Sequence, residues 1–477
     1  MPYLALVLIF LLVGCTLGAP ASTPIPTPNA TQRAERIPPI PEVGSSENRF
    51  GVVEGFWYPD LTCELGVGWD RIIFDWGQHQ PTKSDDWYTL NVDDRWLSAA
   101  DTCGREIVAL LKHSPDWATE GLTGPGLPSG LDLPIDDPNN LWANFIRMAA
   151  AYYKDRMGRG VTHFIIWNEP DIEAGTYGYE FEGDLDAYAR LLKVAYLAAK
   201  EGNPDAVIHL AGTTYWHDVN AGRKPYMERL IETIQKDPEA AAHGFYFDVL
   251  SLHIYFRTDS VYDITHQMRE MLNGYGLEDK KIWINETNAA PTLDPQWKVT
   301  RTQFPKIDLE QQATFLVEAA ALGLAAGAER IAAYKLYDQS LPAGAETFGL
   351  LSPVDASPRP AFYAWQMVAK TFNNVTDAAL TQTPNANIVT MHTESGETLL
   401  VAWARTDQTV TLNVSSNAVD LERIDLYGGI TTVNITDRPM PFTLPGTVCD
   451  AAEKCFLGGP MLILRAPAGM VLQAETK

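Results

Sequence analysis

The sequence has no Cys-x-x-Cys pair and no His/Cys cluster at zinc spacing, so nothing in it argues for a structural metal. It has no P-loop, and no Gly-x-Gly-x-x-Gly follows the first candidate strand, which counts against nucleotide binding. Positive charge is scarce. Against 60 Asp and Glu stand only 36 Lys and Arg, a net charge of -24, which argues against the basic patches of a nucleic-acid partner. The apolar run at residues 4–13 is too short to span a bilayer comfortably. No cofactor is called for.

What remains is an ordinary globular composition, 46% hydrophobic and 20% charged, in 477 residues, enough for one large domain and a smaller one. The thirteen tryptophans suit sugar binding, because indole faces stack on sugar C–H faces, and suit core packing equally well. Behind the apolar run, Leu12-Val13-Gly14-Cys15 resembles the lipobox of bacterial lipoproteins. It departs from that pattern in having no Lys or Arg before the run, which leaves an ordinary signal peptide as the alternative. Both readings predict export, to the cell surface or beyond. The first adds a lipid anchor at Cys15 as the only membrane contact.

Residues 1–15 are thus read as a signal segment, and 16–46, rich in Pro and Thr, as an extended linker that cannot bury a core. Setting Cys15 aside leaves four cysteines. Cys449 and Cys455 are close enough for a short bridge, and Cys63 and Cys103 each precede a glycine at a predicted helix end (Gly66, Gly104). Two disulfides are expected, as in an oxidising compartment.

From 47 to 370 short apolar runs alternate with helical patterns. Strands are predicted at 50–53, 71–74, 106–111, 162–167, 206–211, 247–253, 281–285 and 330–336. Helices at 141–156, 185–201, 264–273 and 309–326 lie between them. Eight such repeats predict an α/β fold, a (β/α)8 TIM barrel. Residues 371–477 change to short strands without helical periodicity and predict a small C-terminal β-sandwich domain.

In such a barrel, polar residues at strand C-termini face the active end. Strand four runs into Trp167-Asn168-Glu169-Pro170, where proline stops the strand at a carboxylate. Strand seven ends in Asn285-Glu286-Thr287-Asn288, supplying a second carboxylate. Aimed into one cavity, Glu169 and Glu286 could cleave a glycosidic bond, one protonating the leaving oxygen and the other attacking the anomeric carbon. Tyr255 or Arg71 could keep the attacking group ionised.

These motifs, with His253-x-Tyr255, resemble the clan A retaining glycoside hydrolases over residues 50–370, in texture nearest to family 39 and its bacterial polysaccharide-hydrolase relatives, with family 5 as neighbour. The resemblance implies that Glu169 is the acid/base and Glu286 the nucleophile. It implies that Asn168 holds the sugar 2-hydroxyl, that Tyr255 donates to Glu286, and that Arg71, His113 and His253 line the glycone site. Many clan members carry a tryptophan platform after strand eight. Here Ala333-Tyr334-Lys335-Leu336-Tyr337 stands there, so Tyr334 or Tyr337 is expected to replace the platform and Lys335 to bring a positive charge into the pocket, which would suit an acidic sugar. Loop aromatics such as Trp57, Trp76, Trp117, Tyr177 and Trp216 are expected to read sugar and linkage. The partner is then a carbohydrate, and the activity a hydrolase acting on β-linked oligo- or polysaccharide. A non-catalytic carbohydrate-binding protein on the same scaffold, and a transglycosylase using the same residues, are the alternatives.

Overall fold

The computed structural model describes residues 48–477 except 157, 301–304, 340 and 450–454. The signal segment and linker expected at 1–46 lie outside the described residues. Eight parallel strands close into a barrel in sequence order: β1 Phe50–Val53, β2 Trp69–Asp75, β3 Glu106–Lys112, β4 His163–Ile166, β5 Val207–Leu210, β6 Val249–Tyr255, β7 Lys281–Asn288 and β8 Arg330–Ala333. β8 pairs with β1, Gly51 opposite Ala332, and so completes the ring.

Alternation along each strand explains the two layers of core. Inward residues (Val53, Trp69, Val108, Leu110, Ile165, Trp283) fill the barrel. Outward residues such as Phe50, Ile72, Phe74, Phe164 and Ile284 pack under the helices. Gly51 is what makes room for the Trp69 indole: a Cβ there would sit 2.3 Å from the ring. The helix Leu309–Ala325 starts on a capping box, with Asp308 and Gln311 each accepting from the other's backbone N–H.

One irregularity sets the site. Leu252 pairs with Ile284, yet the next residue, His253, pairs with Glu286, so Asn285 is an unpaired bulge in β7. Strict alternation would turn Asn285 inward and Glu286 towards the helices. The extra residue reverses this, as bulges beside active sites commonly do.

At the opposite, N-terminal end, the floor holds ion pairs: Arg330 Nη1 lies 2.5 Å from Glu106 Oε2, and Lys281 Nζ 3.3 Å from Glu329. The predicted disulfides are both present, Cys63–Cys103 with Cα atoms 5.6 Å apart and Cys449–Cys455 with 4.3 Å.

The C-terminal region is a sandwich of antiparallel sheets. Six strands run in the spatial order Ile430–Asn434, Asp420–Ile424, Leu462–Ala466, Thr398–Ala404, Ala386–Thr393 and Val375–Gln382. Three more (Met440–Leu444, Val410–Ser416, Leu472–Thr476) close a core containing Ile388, Leu400, Leu412 and Leu464. It is fixed to the barrel by polar bonds: Arg405 Nη2 to Asp259 at 2.6 Å, Asn387 Nδ2 to the same carboxylate at 2.9 Å, and Gly458 N to Glu318 at 2.9 Å.

Candidate functional site

Glu169 and Glu286 meet at the C-terminal mouth of the barrel. Oxygens of both, with a ring nitrogen of His253, lie within 4.8 Å of one another. His253 Nδ1 stands between them, 2.6 Å from Glu169 Oε1 and 3.5 Å from Glu286 Oε2. Arg71, inward-facing on β2, bonds Glu286 Oε1, and the Tyr255 hydroxyl donates to Glu286 Oε2. Glu169 Oε2 has no hydrogen-bond partner among the described residues, and the side chain is partly exposed.

The electrostatics follow from this arrangement. Burial pushes the Glu286 carboxyl up, but Arg71, His253 and the Tyr255 hydroxyl outweigh it and hold the group below its ordinary value. Burial pushes His253 down, but the flanking carboxylates, Glu286 first, win and raise it. Tyr255 is driven well above its ordinary value by burial and by the Glu286 charge, so it remains a donor. Glu169, His253 and Glu286 have the donor types of a cation site, yet Arg71 already supplies the positive charge at Glu286 Oε1.

The backbone at this mouth is strained. Glu54, His113, Trp167 and Glu169, all just beyond β1, β3 and β4, have φ of 58°, 70°, 68° and 41°. Non-glycine residues in that region cost of order 1–3 kcal/mol each and cluster where a site requires it. The Glu169 amide bonds the Gly212 carbonyl at 3.0 Å, which holds the turn. Gly212 itself must be glycine, since a Cβ there would lie 2.1 Å from His253 Nε2.

The other expected residues divide. Asn168 is at the site, its Nδ2 donating to Glu180 Oε2 at 3.1 Å. His113 is at the rim with Nδ1 2.7 Å from Asp75 Oδ2. Tyr334 packs edge-on against Tyr255 with ring centres 5.8 Å apart. Lys335 is present, but it brings no unbalanced charge: Glu54 Oε2 lies 3.0 Å from its Nζ. Trp76 was misplaced. It opens a short helix whose first turn folds back on the barrel, is fully buried, and stacks on Phe145 with ring centres 5.2 Å apart. It packs the core. Tyr177, by contrast, is almost wholly exposed on the loop after β4.

Sequence reading missed Lys112 and Glu180. Lys112 ends β3 on the inward parity of Val108 and Leu110, a signal that was available. Glu180 comes from an irregular loop, where no periodicity places a side chain.

Residues 138–335 match the family described as glycosyl hydrolase catalytic core. No curated protein matches the chain. Among solved structures it is similar to a family 39 glycoside hydrolase from the gut symbiont Bacteroides cellulosilyticus WH2. That pair shares 16% identity over 89% of this chain and 82% of the other, with a TM-score of 0.65. It is also similar to a GH30 endoxylanase from Clostridium papyrosolvens C71 (12% identity, 90% and 98% covered, TM-score 0.57). A monomeric β-xylosidase from Caulobacter crescentus CB15 is a third (13% identity, 89% and 96% covered, TM-score 0.54). At these identities the structures establish the fold, and the catalytic-core match establishes the class. The chain carries a glycosyl hydrolase catalytic core over residues 138–335, which makes it a glycoside hydrolase, on the eight-stranded barrel that its sequence predicts.

Proposed function

We propose that the chain is an exported hydrolase that cleaves β-glycosidic bonds of an oligo- or polysaccharide by double displacement with retention. The observation that carries the mechanism is the spacing of the two carboxylates, with oxygens within 4.8 Å. Carboxyl groups about 5–5.5 Å apart leave room for direct attack, and those about 6.5–9.5 Å apart leave room for a water. The short spacing supports retention.

In the first step the Glu286 carboxylate attacks the anomeric carbon as the glycosidic C–O bond breaks. The bonding pair leaves with the aglycone oxygen, which takes the proton of Glu169. Arg71 and Tyr255 hold Glu286 ionised and ready. In the second step Glu169 takes a proton from water as its oxygen attacks the anomeric carbon. The ester C–O bond breaks and returns the Glu286 carboxylate. The apolar run before Cys15 supports export, and Cys15 a lipid anchor. The xylan-active neighbours make xylosides and xylo-oligosaccharides sensible first substrates.

Replacing Glu169 by Gln should lower kcat by about 10²–10⁴-fold, the usual range for a general acid/base. Glu286→Gln should abolish turnover, and azide added to Glu286→Gly should yield a glycosyl azide of inverted configuration. Full activity in Glu286→Gln, or an inverted hydrolysis product from the native protein, would sink the mechanism.

A further inference from the structure

Two lysines and the His113 ring stand at the mouth besides Arg71 and His253, and each already faces an acid. Lys112 Nζ lies 2.8 Å from Glu180 Oε2, Lys335 Nζ 3.0 Å from Glu54 Oε2, and His113 Nδ1 2.7 Å from Asp75 Oδ2. Arg71 is committed to Glu286. A carboxylate entering on a sugar would find no unpaired cation among these.

Glu180 is the acid whose placement cannot be explained by a strand. Its loop is drawn into the mouth by the Trp167 indole, which donates to the Glu180 carbonyl at 2.7 Å. The side chain then takes both Lys112 and Asn168 on one oxygen, Oε2. Oε1 has no hydrogen-bond partner among the described residues, and the side chain is about a quarter exposed, at 28%. So one oxygen neutralises the lysine beside the catalytic strand, and the other offers an acceptor to a ligand hydroxyl.

We propose that Glu180 sets the charge class of the sugar: it makes the glycone pocket select an uncharged sugar and reject a uronic acid. The inference rests on the hydrolase reading above and adds the substrate class and a residue that determines it. Selection here is negative as well as positive. The pair Glu180–Lys112 hydrogen-bonds hydroxyls, while the Glu180 charge repels a carboxylate that Lys112 alone would attract.

The test uses the full chain and matched aryl β-glycosides and β-uronides of the gluco and galacto series, which differ only at C6, with a neutral β-glycan digested in parallel. The native protein should cleave the neutral member of a pair and leave the uronide. Glu180→Gln should raise the uronide-to-neutral ratio of kcat/KM about tenfold or more, chiefly through KM. Glu180→Asp should keep the native ratio, and adding Lys112→Met to Glu180→Gln should remove the gain. A uronide cleaved by the native protein as fast as its neutral partner overturns the charge assignment alone. So does an unchanged ratio in Glu180→Gln. Hydrolysis of no substrate, the neutral glycan included, overturns the hydrolase reading and this inference with it.

Discussion

The floor of the barrel buries His163 and His209 with Nδ1 and Nε2 2.8 Å apart, while the mouth buries His253 between Glu169 and Glu286. His209 and His253 are removed from water and His163 largely so, and all three would be pushed down by that alone. At the floor, burial and then the nearby positive charge of Arg330 push His163 to about 3. His209 falls too, through burial and then because a proton on it would face the His163 ring and Arg330. At the mouth two carboxylates overcome burial and the ring is raised. Desolvation is therefore common to both ends, and what separates a silent histidine from a charged one is which charges surround it. The floor keeps its rings neutral and its ions in pairs. The mouth keeps charge where a reaction can use it.

The sharpest way to break that division is to remove one arginine from each end. Arg71→Met strands Glu286, and Arg330→Met takes a buried partner from Glu106, each at a cost of about 3–5 kcal/mol in unfolding free energy. Denaturant titration should show both losses. Only Arg71→Met should also lower kcat/KM, and an equal kinetic loss in Arg330→Met would erase the distinction.

Glycine substitutions make the same comparison more gently. Gly51→Ala drives a methyl into Trp69 inside the barrel, and Gly212→Ala drives one into His253. Each should cost about 1–3 kcal/mol by overpacking. The first should leave the pH–rate profile unmoved and the second should displace it, because His253 touches both carboxylates.

The smallest effect is read per pH unit, at most about 1.4 kcal/mol for one group. His163 is depressed in the fold, so its neutral ring favours the folded state. That contribution is complete above about pH 6.5 and is lost as pH falls towards 3. His253 is raised, so its contribution is complete below about pH 6.5 and is lost as pH rises through its folded value. Melting temperature against pH should lose its acid-side fall in His163→Asn and its alkaline-side fall in His253→Asn. Two variants flattening the same side would contradict the assignment.

Much of this was legible from the chain. Glu169 could be placed because Pro170 ends a strand of three apolar residues, and Glu286 because it closes a second such strand. His253 and Tyr255 were legible from a motif whose spacing puts both on one strand face, and Arg71 from the resemblance. Trp76 misled because an aromatic at a strand end looks like a platform until the next helical turn is seen to bury it. The bulge at Asn285 was hidden, since register is a property of two strands and the pattern along one does not show it. Glu54 and Asp75 sit at strand ends, yet nothing in a linear reading pairs them with Lys335 and His113, whose partners are far away in sequence. Glu180 was out of reach altogether, for its position is set by an indole donor on another segment.

Arg71 and Glu286 are 215 residues apart in the chain, and the ring closes only when β8 reaches β1. During synthesis, Arg71 therefore leaves the ribosome long before its counter-charge exists. A nascent chain that collapsed early would bury a lone guanidinium, which is strongly unfavourable. Such long-range pairing also makes for slow folding. The Arg71–Glu286 pair thus acts as a completion check on assembly: the carboxylate that makes the β2 arginine tolerable to bury arrives only with β7.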